Sequence, residues 1–154
     1  MNIEREMPVE PLVLDFLSRG MPVKFEVTGG SMTPFIRAHD LVEVRPIAGA
    51  RPKIGDVVVW IRAQERLVVH RVVAWKAEQI RTRGDATLSP DEWIPQSRVV
   101  GRVERIHRNG REIHLGLGPE RRILGLLSRF GLPAQALRIA RCLRRQNFSR
   151  AVGR

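Results

Sequence analysis

Cys142 is the only cysteine in this chain of 154 residues, so no disulfide can close within it and no cysteine-rich metal site can be built. Long apolar runs are also missing. The longest near the N-terminus is Leu12-Val13-Leu14, far short of the roughly 20 residues of a spanning helix or the h-region of a signal peptide. The charged start, Met1 to Arg5, leads only to Pro8 and Pro11. These absences predict a cytoplasmic protein with no signal peptide or transmembrane helix. There is no internal repeat and no low-complexity segment. Acidic residues are scarce in one region: after Pro119, Glu120 alone faces nine arginines between Arg121 and Arg154. Such a segment attracts polyanions through a field that salt screens within about 10 Å. It carries no interleaved aromatics and no nucleic-acid-binding module, so nucleic acid has little support as a partner.

What is present describes one folded domain. A composition of 43% hydrophobic and 28% charged residues suits a globular chain, and the length suits a single core. Residues 1–20 read as a leader and a short amphipathic helix over Pro8 to Ser18, with Leu12, Val13, Phe16 and Leu17 at helical spacing and Gly20 as its stop. Residues 21–118 read as all β, with strands at Val23–Val27, Leu41–Val44, Asp56–Ile61, Leu67–Ala74, Ile80–Thr82, Val99–Ile106 and Glu112–Leu115. Turn signals separate them, the strongest being Asn109-Gly110. Residues 119–154 read as a basic helical tail. Ile123, Leu126, Leu127 and Phe130 share one helical face, and Leu137, Ile139, Ala140 and Leu143 another, with a break at Gly131-Leu132-Pro133. These apolar positions are expected to pack on the β domain or a partner, with the arginines as a solvated face. The tail's charge also suits peripheral contact with an anionic membrane.

Chemistry-bearing residues stand out against this background. Ser31 follows Gly29-Gly30 and precedes Met32-Thr33-Pro34, a turn that exposes a side chain and lets another chain come close. A serine in such a turn is by itself commonly a cap or turn residue. His70 lies in Leu67-Val68-Val69-His70-Arg71-Val72-Val73-Ala74, where alternation puts it with Val68, Val72 and Ala74 and opposite Arg71. A lone histidine there is commonly a satisfied core residue. Its alternative role is to take a serine proton and pass it to a leaving amine. Asp85, in Arg83-Gly84-Asp85, and Asp91 both stand as candidates for a carboxylate that orients the imidazole, and spacing leaves the choice open. No cofactor and no metal is expected.

Gly30-Ser31-Met32-Thr33-Pro34, the strand with His70-Arg71-Val72, and Gly84-Asp85 with Asp91 six positions on together resemble type I signal peptidases of the endoplasmic-reticulum and archaeal branch. In that branch a histidine replaces the usual lysine base. Asp40-Leu41-Val42-Glu43-Val44 and Gly55-Asp56-Val57-Val58-Val59 resemble the strands of the family between serine and base, so the likeness runs from about Phe25 to Val103. It implies a mainly β fold, the coiled, barrel-like LexA/signal peptidase fold. It also implies Ser31 as nucleophile, His70 as general base, Asp91 as the third member, Asp85 as the shaper of a supporting loop, and Gly30 and Met32 in the oxyanion and substrate cleft. The implied partner is a peptide or pre-protein bound as an extended strand.

Three departures bear on that resemblance. Gly29 stands where those peptidases carry a serine that helps bind the oxyanion, so backbone amides would serve alone. No membrane helix is present, and the Val72–Ile80 connection is too short for a membrane-associating cap. A compact peptidase dedicated to one substrate is therefore the expectation. Its rivals are a LexA- or UmuD-type self-cleaving regulator and a non-catalytic module that kept the fold. Against the first, no Ala-Gly or Cys-Gly pair precedes Ser31 and only Met1 to Val23 precede the β domain.

Overall fold

A computed structural model describes residues 9–63 and 66–136. Helix α1, Val9–Ser18, buries Val13 and Leu17 and leaves Leu12 and Phe16 partly in solvent. It ends where Gly20 turns to positive φ: the Gly20 amide donates to Leu17 O and the Met21 amide to Phe16 O. That paired closure is the Schellman stop.

Eight strands follow: β1 Val23–Glu26, β2 Leu41–Pro46, β3 Val57–Ile61, β4 Leu67–Lys76, β5 Gln79–Arg83, β6 Trp93–Pro95, β7 Val99–Arg108 and β8 Arg111–Ile113. They form one antiparallel sheet in the order β1-β2-β7-β3-β4-β5-β6, with β8 added to β7. The expected barrel-like closure is absent among the described residues. β1 and β6 lie at opposite ends of the order and do not pair with each other, so the sheet stays open. β6 was not foreseen, because three residues ending in a proline carry no strand periodicity.

The sheet is coiled by irregular pairing. Register shifts fall between Glu43 and Val44 and between Val59 and Trp60 against β7, and between Val72 and Ala74 against β5. Each inserts an unpaired residue that increases local twist. Both faces are covered. Val57 and Val59 join α1, Met32 and Ile36 in one apolar cluster, while Val58 and Trp60 join Val72, Ile80 and Ile94 in the other. A strand buried on both faces reads as a continuous apolar run, which is why Val57–Ile61 does. The shift at Val73 corrects the alternation expected for β4: Trp75, not Ala74, packs with the cluster of Val72.

Helix α2, Arg121–Arg129, lies against β4; Arg122 and Arg129 are solvated as expected, but the apolar face does not pack on the β domain. The helix's inward residues are Gly125 and Ser128, while Ile123, Leu126, Leu127 and Phe130 are exposed. A Cβ on Gly125 would sit 2.6 Å from the Gly55 nitrogen, so only a glycine lets the helix approach this closely. Helical backbone resumes over 132–136. The rest of the expected second tail helix, 137–145, lies outside the described residues. No described helix is long and apolar enough to cross a membrane.

Two ion pairs tie loops to this frame. Arg71 and Asp85 are both fully buried: Arg71 Nε and Nη2 donate to Asp85 Oδ1 and Oδ2 at 2.9 and 2.8 Å. Arg71 Nη1 donates to the Gly55 and Gly116 carbonyls, each at 2.9 Å. Asp40 accepts from Arg108 Nη2 at 2.7 Å and from the Arg37 amide at 2.8 Å, which closes the Ser31–Asp40 connection onto β7. Burial by itself would raise the Asp40 carboxyl, but the Arg108 guanidinium and the Arg37 amide outweigh it and hold the carboxyl below the ordinary aspartate range.

Asp85→Asn leaves a buried guanidinium without its counter-charge and should cost about 3–5 kcal/mol, read from the urea midpoint. A loss below about 1 kcal/mol, the size of a surface pair, would contradict this role. For Asp40 the unfolded chain binds more protons than the native one in the acid range. The pair's stabilisation is therefore complete above about pH 5 and is lost as pH falls through the lowered native value. The stability gap between the wild type and Asp40→Asn should accordingly shrink on acidification. A gap that stays constant down to pH ~2 would contradict the linkage.

Candidate active site

His70 and Thr82 share one face of the β4–β5 hairpin, since Val72 pairs with Thr82 and Arg71 with Arg83. Continuing that register sets Gly84 opposite His70. The chain then turns through Asp85 and Ala86 and comes back at Asp91, whose amide donates to Thr82 O at 2.8 Å. Asp91 is thereby delivered beside the imidazole: His70 Nδ1 lies 2.5 Å from Asp91 Oδ2. On the far side of the ring, His70 Nε2 lies 3.0 Å from Ser31 Oγ. The three side chains form one line, Ser31–His70–Asp91. Asp85 is not in it, because the buried guanidinium of Arg71 takes both its oxygens.

Asp91 is held from three further directions. Thr82 Oγ1 donates to Oδ2 at 2.7 Å, Arg62 Nη2 to Oδ1 at 3.1 Å, and Arg81 Nε to the Asp91 carbonyl at 3.0 Å. Burial pushes the Asp91 carboxyl up, yet the hydrogen bond and charge of His70, the Thr82 hydroxyl and Arg62 overrule it and hold the carboxyl below its ordinary range. An ionised carboxylate only accepts, so an imidazole hydrogen sits on Nδ1, and in the neutral ring Nε2 presents its lone pair to the Ser31 hydroxyl. His70 is 7% exposed, enough for the ring edge to reach the cleft while its body is held by the strand.

Ser31 owes its position to a backbone bond and to an absence of volume. Its carbonyl accepts from the Ala86 amide at 2.7 Å, which staples the serine turn to the loop after β5. A Cβ on Gly84 would lie 2.6 Å from that same carbonyl and 3.0 Å from His70 Nε2. Glycine is required here by contact and not by backbone angle. Among the described residues the Ser31 and Met32 amides donate to no protein group, and both belong to the turn that carries the serine.

The line of three opens into a cleft of about 730 Å³. Phe25, Val27, Met32, Leu67 and Val69 make its apolar wall, Gly29 lies at its edge, and Glu10 of α1 and Glu26 of β1 add acidic groups. Two strand edges face it. β1 has β2 on one side only, and the first half of β4, Leu67–Val69, pairs with β3 but precedes the β5 ladder. Met32 and Gly30 stand in the serine turn, Met32 fully buried.

Thr82 and Arg62 are the site residues that sequence reasoning passed over, and Gly84 was read only as part of the Gly84-Asp85 motif. Thr82 and Gly84 carried a signal, since aligning His70-Arg71-Val72 against Thr82-Arg83-Gly84 as a hairpin puts them beside the histidine. Arg62 carried none. No group of three or more His, Cys, Asp or Glu side chains among the described residues is arranged to hold a metal ion. Compared with known proteins, the chain matches no family model and no curated sequence.

Gly84→Ala should therefore separate Ser31 from His70 and cost about 1–3 kcal/mol through overpacking. Thermal unfolding reads the stability, and the ring-nitrogen chemical shifts of His70 read the hydrogen bond. Unchanged ring shifts in the folded variant would show that the Gly84 gap is not what admits the serine.

Proposed function

We propose that this protein is a serine endopeptidase working through Ser31, His70 and Asp91, with a LexA/signal peptidase type of β domain, 21–118, as its scaffold and the cytoplasm as its compartment. The single observation that carries the reading is the continuous relay of 3.0 Å from Ser31 Oγ to His70 Nε2 and 2.5 Å from His70 Nδ1 to Asp91. Either contact alone is ordinary. The two together, with the serine facing a cleft, meet the geometric demands of nucleophile, base and orienting acid.

An extended peptide enters between the free edges of β1 and β4 and pairs with them through its backbone, its side chains meeting the wall of Phe25, Val27, Met32 and Val69. Ser31 Oγ attacks the scissile carbonyl carbon while its proton passes to His70 Nε2. The imidazolium so formed is stabilised by Asp91 through Nδ1–H. The developing oxyanion is met by backbone amides of the serine turn, Ser31 and Met32 being the candidates in reach, with Gly29 adding no hydroxyl. As the C–N bond breaks, Nε2–H gives its proton to the leaving amine. Water then repeats the attack on the acyl-enzyme with His70 as base and releases Ser31.

A fluorophosphonate probe should add one mole per mole of native chain at Ser31, and the adduct should vanish in Ser31→Ala. On a peptide selected from a cleaved library, Asp91→Asn should lower kcat by about 10⁴ in chain that far-UV circular dichroism shows to be still folded. No adduct on the folded native chain, or full turnover by Ser31→Ala, ends the peptidase reading. Purified chain that splits into two fragments at alkaline pH would shift it to the self-cleaving regulator.

A further inference from the structure

Helix α2 turns its apolar side outward, a costly arrangement in water unless something covers it. Ile123 is 62% exposed, Leu126 51% and Phe130 70%. Leu127 lies on the same helical face, and Leu132 just beyond the helix is exposed as well. The helix's inner side is committed to the protein: Ser128 Oγ donates to Asp85 Oδ1 at 3.0 Å, and Arg83 Nη1 donates to the Ser128 carbonyl at 2.7 Å. The helix is thus seated by polar contacts and a glycine, and presents its leucines as a fixed keel.

The charged side chains on the keel's flank and in the groove beside it are basic. Arg122 and Arg129 are exposed on the helix itself. Beside its C-terminal end runs a groove of about 480 Å³ where Arg129 meets Lys76, Arg81, Trp75 and Trp93. The one acid of the segment, Glu120, is turned back into the chain, its carboxylate accepting from the Gly116 amide at 2.7 Å and the Gly118 amide at 3.2 Å. The sequence beyond 136 adds six arginines and no acid.

We propose that this face docks the protein on an anionic lipid bilayer. Apolar side chains entering the acyl boundary, tryptophans at headgroup depth and arginines against lipid phosphate are the combination an interfacial site requires. The charge decides the occupant. A second copy on the same face would bring two arginine-rich segments together and repel, whereas an anionic bilayer neutralises them. The outward face does not depend on the relay at Ser31, so docking stands apart from the peptidase reading.

The test is co-sedimentation of the full chain with vesicles of phosphatidylcholine alone or mixed with phosphatidylglycerol. Binding is expected to the mixed vesicles only, to weaken with added salt, and to fall at least tenfold in Ile123→Ser/Phe130→Ser, whose substitutions are on the surface and should leave the unfolding midpoint in place. Ser31→Ala should bind as wild type does, so loss of peptidase activity and loss of docking are read separately. Absence of binding to mixed vesicles overturns the proposal. So does a double variant that binds as tightly as wild type, which would assign attraction to the arginines alone. A dimer that Ile123→Ser/Phe130→Ser dissociates, without vesicle binding by either chain, would give the face to a second copy instead.

Discussion

A guanidinium buried away from water must find every partner inside the protein, and Arg71 finds its partners in three separate stretches of chain. Asp85 supplies the opposite charge, and the carbonyls of Gly55 and Gly116 take the remaining bonds. Asp85 reaches on to Ser128 of α2. One residue further, Ala86 holds the carbonyl of Ser31. The serine turn, the loop after β5 and the outer helix are thus referred to a single point on β4. A buried pair of this kind gains little over apolar residues of equal volume. What it adds is geometric: hydrogen-bond directions that packing alone would leave loose.

The relay beside it is the product of strand pairing more than of loop design. His70 and Thr82 are set by the β4–β5 register, and Asp91 is aligned by backbone and side-chain bonds to Thr82. Asp91 itself lies in the connection between β5 and β6, and Ser31 in the longer one between β1 and β2, which is closed at its far end by Asp40 and Arg108. Sites carried on regular elements hold their geometry better than sites on free loops. The cleft, by contrast, is bounded by α1 and by two strand edges that carry no partner among the described residues.

Much of this was legible in the residues. Strand positions follow from branched runs and turn signals, and the order of Ser31, His70 and Asp91 follows from the motifs. Spacing left the choice between Asp85 and Asp91 open, and only the resemblance named Asp91, because the choice depends on which carboxylate a buried arginine claims and spacing does not show that Arg71 is buried. The open sheet was not legible either, since closure depends on whether β1 meets β6 and both are short. In α2 the helical period was readable while the direction it faces was not. Gly125 is the contact that seats the helix on Gly55. The bulge at Val73 left no mark in Val72-Val73-Ala74-Trp75, where every residue is apolar.

His70 and Arg71 are adjacent in the chain and point to opposite faces of one strand. One meets the cleft and the other anchors the scaffold, so the two tasks are separated by nothing more than odd and even position. This makes the strand unusually intolerant of length changes compared with substitutions. Loss or gain of a single residue between Leu67 and His70 would not simply loosen the site. It would trade the faces, sending an arginine towards the serine and an imidazole into the buried ionic knot. The protein can drift in composition around this pair, but its reading frame along β4 is locked.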